Sequence, residues 1–124
     1  MTFTHAVIWL DHHKALVIEF DPETMRERRL EASSHPTAQH RSEVRSEHEF
    51  FAKVCDAVAG MDSILVTGSH TAQADFRHYI DKHRPTLTDR ISGWETVDHR
   101  TSAQLVALAR QRQQESAKGL APRP

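Results

Sequence analysis

Three groups of residues in this chain are of a kind, and in an order, that does chemistry. The first is Val66-Thr67-Gly68-Ser69-His70-Thr71, where an apolar run passes through a glycine into a helical pattern. Backbone amides at such a junction, with the positive end of a helix dipole behind them, hold a phosphate or a carboxylate. The spacing is neither that of a P-loop, which ends in Gly-Lys-Ser/Thr, nor that of a dinucleotide fingerprint with three spaced glycines. A plain strand-to-helix turn uses glycine in the same way. The second group is drawn from ten histidines: His12 and His13 in a turn, His35 and His40 in a polar stretch, His78 and His83 in a helix. Zinc ligands gather on one face, and His78 and His83 are five apart instead of the three or four that align on a helix. A histidine-rich surface with no metal site is the expectation. The third group is Gly93-Trp94-Glu95-Thr96-Val97-Asp98-His99-Arg100-Thr101-Ser102-Ala103-Gln104. Glu95, Asp98 and His99 offer a carboxylate–imidazole pairing suited to acid/base work, but the spacing supplies no nucleophile. Asp98, Thr101 and Gln104 are also what a helix entrance needs for capping.

The composition narrows the choices. One cysteine, Cys55, forms no internal disulfide and no thiolate zinc framework, and its place on an apolar helix stripe reads as core packing. Sixteen Lys and Arg against seventeen Asp and Glu give no global basic field for nucleic acid. The local asymmetry is C-terminal, where Arg110, Arg112, Lys118 and Arg123 face Glu115 alone after Thr101. That is a weak RNA-phosphate candidate, and an ordinary solvated face is the commoner reading of such a helix. The longest apolar run, Ala6 to Leu10, is far too short to span a bilayer, and no basic-then-apolar leader pattern opens the chain. A cytoplasmic protein without membrane contact is expected.

The elements that must position these residues follow from periodicity. His5–Asp11 and Ala15–Phe20 are β-branched and nearly continuously apolar, so they predict a hairpin covered on both faces. Met25–Glu31 predicts a charged edge strand. Residues 32–45 hold almost nothing apolar and predict a polar, disordered loop. Ser46-Glu47-His48-Glu49 matches a capping box, opening a helix whose stripe is Phe50, Phe51, Val54, Cys55 and Val58. Ser63–Thr67 predicts a buried strand, and Ala72, Phe76, Tyr79 and Ile80 the buried face of the next helix, stopped by Pro85. Ile91–Asp98 predicts a strand interrupted at Gly93, and Thr101…Gln104 a second capping box before Leu105, Val106, Leu108 and Ala109. The whole is one α/β domain over 1–115 with a flexible tail over 116–124, in which helices return the chain between parallel strands.

Val66-Thr67-Gly68, the helix ending at Lys82-His83, and above all Gly93-Trp94-Glu95-Thr96-Val97-Asp98-His99 with the Thr101…Gln104 helix start resemble short bacterial translational machinery proteins. Those in turn resemble the C-terminal domain of Pelota, of archaeal and eukaryotic peptide-chain release factors, and of the hibernation factor Balon. Gly68-Ser69 stands where that family often has Gly-Pro-Gly, and Arg100 where proline is common. The resemblance implies a three-layer α-β-α sandwich with a mixed sheet. It also implies docking near the ribosomal factor-binding centre beside a translational GTPase such as elongation factor Tu, with ribosomal RNA contact open. No Gly-Gly-Gln tripeptide occurs, so the hydrolytic element of release factors is absent.

The expected function is therefore a non-catalytic, ribosome-associated factor of stress, hibernation or stalled-ribosome type, with no cofactor. Its expected partner-binding residues are Gly68, Ser69, His70, Thr71, Glu95, Asp98, His99 and Thr101, because ligand sites collect where strands of an open α/β sheet end. Two alternatives stand beside it. One is a small metal-dependent enzyme using His12, His13, Asp98 and His99; the other is a stress-related interaction protein with no ribosomal role.

Overall fold

The computed structural model describes residues 4–31, 40–98 and 100–120, with the side chains of 40–46 and 114–120 excepted. Five strands form one mixed sheet: β1 (His5–Leu10), β2 (Lys14–Phe20), β3 (Met25–Glu31), β4 (Ser63–Gly68) and β5 (Ile91–Thr96), in the order β3-β2-β1-β4-β5. β1, β2 and β3 are an antiparallel meander, while β4 and β5 run parallel to β1. Three helices complete the chain: α1 (His40–Ala57), α2 (His70–His83) and α3 (Ser102–Leu120).

The unbroken apolar runs of β1 and β2 are explained by two cores. Ala6, Ile8, Leu10, Ala15 and Val17 face α1 and α2, where Phe50, Phe51, Val54, Cys55, Phe76 and Ile80 pack. Val7, Trp9, Ile18 and Phe20 face α3, where Leu105, Val106 and Ala109 pack. Successive strand residues point to opposite faces, so a strand with a helix layer on each side needs apolar residues at every position. The three-layer α-β-α arrangement is thus the one expected. β3 carries almost only charge and lies at the sheet's edge, where charged side chains discourage further strand addition. Arg26 of β3 reaches over to the buried Glu19 of β2 at 2.7 Å.

β5 ends at Thr96, two residues before the expected Asp98, and two helices extend further than expected. α1 begins at His40, so residues 40–45 are helical and Ser46 lies inside the helix instead of capping it. No glycine or proline stands between His40 and Ala57, and once a helix is nucleated each added residue gains a hydrogen bond. The remainder of the expected polar loop, 32–39, lies outside the described residues. α3 likewise continues past Glu115 to Leu120, through Ala117 and Lys118, which favour helix. Residues 121–124 lie outside the described ones. A short 3₁₀ helix over Pro85–Arg90, which the pattern did not suggest, follows α2, with Pro85 in its first turn, where a missing amide costs nothing.

Gly68 closes β4 with φ at +130°, and a Cβ there would fall on the Leu10 carbonyl oxygen and within 2.8 Å of the Leu10 nitrogen. The obstruction is backbone of the neighbouring strand, which cannot swing aside as a side chain would. Gly68→Ala should therefore destabilise the fold by about 3 kcal/mol or more, read as a lowered urea midpoint. Gly60→Ala, where nothing lies within 4 Å of the new methyl group, is the control and should cost much less.

Candidate functional site

The parallel pairing of β1, β4 and β5 brings their carboxyl ends to one edge. Leu10 is paired with Gly68 and Gly68 with Thr96, so the β1–β2 turn, the β4–α2 junction and the segment after β5 are neighbours there. The turn is built by Asp11, whose Oδ1 accepts from the amides of His13 and Lys14, both at 2.8 Å. That Asx geometry leaves His12 half-buried and His13 exposed. At the junction, Ser69 is the N-cap of α2. It is extended at φ −70° and ψ 144°, and its hydroxyl accepts from the Ala72 amide at 3.4 Å.

Gln73 ties the junction to β5. It is buried, and its Nε2 donates to the carbonyl of Gly68 at 2.9 Å and to that of Glu95 at 2.8 Å. The Val97 amide also donates to the Gly68 carbonyl, and the Ser69 amide to the Leu10 carbonyl, each at 3.2 Å. Three strand ends and one helix start are thereby held by hydrogen bonds around Gly68. Sequence reading passed over Gln73, although its position three before Phe76 and seven before Ile80 places a polar group on the helix's apolar stripe.

The expected partner-binding residues are distributed around this edge. Gly68 is buried, Ser69 half-buried, and His70 and Thr71 exposed; Thr71 Oγ1 lies 3.0 Å from His12 Nε2. Glu95 turns toward α3, where Arg112 Nη1 meets its Oε1 at 3.4 Å, and the Arg112 guanidinium lies across Gly93. Asp98 is exposed, and His99 lies outside the described residues. Thr101 caps α3 as expected: the Gln104 amide donates to its Oγ1 at 3.2 Å while Gln104 Oε1 accepts from the Thr101 amide at 3.0 Å. Thr101 also borders a 580 Å³ cleft between the start of α3 and strands β2 and β3, with Trp9, Lys14, Glu27, Arg29 and Arg100 among its walls. Within it the Ser102 hydroxyl donates to the Glu27 carboxylate. The structure thus gathers Gly68 to Thr71 on the α2 side of the sheet and sets Glu95 and Thr101 toward α3.

The cationic candidates are partly engaged within the chain. Arg110 donates to the Asp21 carbonyl and lies over the Phe20 ring at 5.7 Å. Arg112 pairs with Glu95 as described. The Lys118 side chain and all of Arg123 lie outside the described residues. Cys55 is fully buried, and burial pushes its thiol up to about 12, which removes it as a nucleophile near neutrality. His12 is brought to Glu47 and Asp75; His13 and Asp98 do not join that group among the described residues.

No protein-family model matches the chain, and no curated protein matches it in sequence. Solved structures match its fold. Pelota from Archaeoglobus fulgidus superposes with a TM-score of 0.63 at 14% identity, covering 87% of this chain and 31% of Pelota. The archaeal translation termination factor aRF1 gives 0.60 at 15% identity, covering 94% of this chain and 42% of that one. Dom34 of S. cerevisiae, a translation termination-like factor of RNA quality control that interacts with Hbs1, gives 0.55 at 11% identity over 85% of this chain. The likeness to Pelota and the release factor is one of fold. It runs through nearly the whole chain, which spans about a third to two-fifths of the length of those proteins.

Gln73→Leu keeps the side chain's size and removes both donated hydrogen bonds, leaving the Glu95 carbonyl without this donor. Stability should fall by about 1–3 kcal/mol in urea denaturation. Amide exchange should accelerate at Ser69 and Val97 before it does in the centre of the sheet; uniform protection in the variant would show that Gln73 does not brace this edge.

Proposed function

We propose that the chain is a non-catalytic factor that binds the translation machinery through the loops at the carboxyl ends of β1, β4 and β5. The fold likeness to Pelota and aRF1, extending over 87% and 94% of the chain, is the observation that carries this reading. The Gly-Gly-Gln element of peptide release does not occur in this sequence, and the cysteine is inert, so binding rather than ester cleavage is the role assigned. The ribosomal factor-binding centre, with a translational GTPase such as elongation factor Tu beside it, is the proposed docking place, in hibernating or stalled ribosomes. No described helix is long and apolar enough to cross a membrane.

His70, Thr71, Asp98 and His99 are the proposed contacts, with Gly68, Ser69 and Thr101 shaping the loops. Glu95 acts by fixing Arg112 and the end of β5. Ribosomes sedimented from growing and from starved cells should carry the native protein, more of it in starvation. Replacing His70, Asp98 and His99 together by alanine should reduce that fraction at least tenfold while far-UV dichroism stays unchanged. A protein found only at the top of the gradient in both conditions would refute ribosome binding and favour an interaction protein outside translation.

Contact with ribosomal RNA phosphates is proposed for Lys118 and Arg123 of the C-terminal sequence, since Arg110 and Arg112 have partners within the chain. Phosphate contacts release counterions, so affinity should fall steeply with salt. Deleting residues from Glu115 onward should flatten that slope by about one to two units in log–log form, the number of cations lost. The fold should persist, because Leu105, Val106 and Ala109, the buried residues of α3 among those described, all precede the cut. Equal slopes for both forms would assign docking to the loops alone.

A further inference from the structure

His12, Glu47 and Asp75 come from three elements: the β1–β2 turn, α1 and α2. His12 presents Nε2 to Thr71 Oγ1 at 3.0 Å, which leaves Nδ1 between Glu47 Oε2 at 3.7 Å and Asp75 Oδ2 at 3.8 Å. A charge-assisted hydrogen bond closes to about 2.7–2.9 Å, and Nδ1 makes none to either carboxylate. The three donor atoms surround one point more openly than ligands around a bound ion do. Tetrahedral bonds of about 2.0–2.2 Å set ligand atoms about 3.3–3.5 Å apart, and the three donors here all lie within 4.8 Å of one another. Small rotations of three partly exposed side chains close that difference.

We propose that His12 Nδ1, Glu47 Oε2 and Asp75 Oδ2 bind a divalent transition-metal ion of the zinc type, with water completing its coordination. Two carboxylates balance the ion's charge, and the imidazole distinguishes the site from the all-oxygen sets that calcium and magnesium prefer. With the Nδ1 lone pair on the ion, Nε2 carries the proton and donates it to Thr71 Oγ1, 3.0 Å away; metal-binding histidines commonly have such an outer partner. The ion would fasten the β1–β2 turn to both helices of one layer, next to the exposed start of α2. The expectation of no metal site rested on histidine-to-histidine spacing, which a set with one histidine and two carboxylates never displays.

The test needs no ribosome and so stands apart from the proposed function. Zinc chloride titrated into the chelator-treated full chain should bind with one equivalent in calorimetry and raise the melting temperature, reversibly with EDTA. His12→Ala, Glu47→Gln and Asp75→Asn should each weaken that event tenfold or more. His13→Ala and His48→Ala should leave it intact, which separates the site from general binding by surface histidines. The two carboxylate variants keep side-chain size, so they decide the matter should His12→Ala fail to fold. Absence of a stoichiometric event, or equal affinity in Glu47→Gln, Asp75→Asn and the native protein, would overturn the proposal and leave the group as a histidine–carboxylate cluster alone.

Discussion

The close passage of Gly68 against Leu10 is the constraint on which the edge formed by the ends of β1, β4 and β5 depends. β4 runs parallel to β1 and must leave the sheet directly beside the last residue of its neighbour, and only a residue without Cβ passes there. The left-handed backbone it adopts frees the Ser69 amide to reach the Leu10 carbonyl and turns its own carbonyl to accept from Gln73 and Val97. One glycine conformation thus sets where α2 starts, how β5 ends beside it, and where the amides at the start of α2 point.

The two faces of the sheet are organised by different physics. On the α1/α2 side the layer is aromatic, with Phe51 against Phe76 at 5.2 Å and Phe76 edge-on to Trp94 at 6.3 Å. Among the described polar groups of that side, Gln73 is buried, while His70 and Thr71 stand exposed at the start of α2 and His12 half-buried on the β1–β2 turn. On the α3 side the core is smaller, and arginines close it: Arg110 over Phe20 and Arg112 across Gly93 to Glu95. Their stems cover apolar surface while their guanidinium groups meet the chain's own acceptors. A cationic helix in sequence is therefore partly an inward-facing clamp in three dimensions.

The two helix starts present different groups. His70 and Thr71 project from the beginning of α2, whereas Thr101 and the cleft below it belong to the beginning of α3. Both helix starts lie toward the edge where β4 and β5 end. Between them, Gln73 ties the Gly68 and Glu95 carbonyls together with two hydrogen bonds.

Sequence by itself determined the layers and their order. Unbroken apolar runs in β1, β2 and β4, the charged edge of β3 and the stripes of three helices admit few arrangements besides a mixed sheet covered on both sides, because burial and period are local properties of the chain. The cap of α3 at Thr101 and Gln104 was legible for the same reason: its hydrogen bonds span three residues. Helix extents were less so, since no residue at 40–45 or 115–120 forbids helix and propagation carries past any single signal. Tertiary structure alone decided the site. That His12 meets Thr71, Glu47 and Asp75, that Gln73 bridges Gly68 and Glu95, and that Arg112 serves Glu95 depend on the sheet order bringing distant segments to one edge. Side-chain pairs separated by dozens of residues leave no periodic trace in a single sequence, and the register of parallel strands is what puts them within reach.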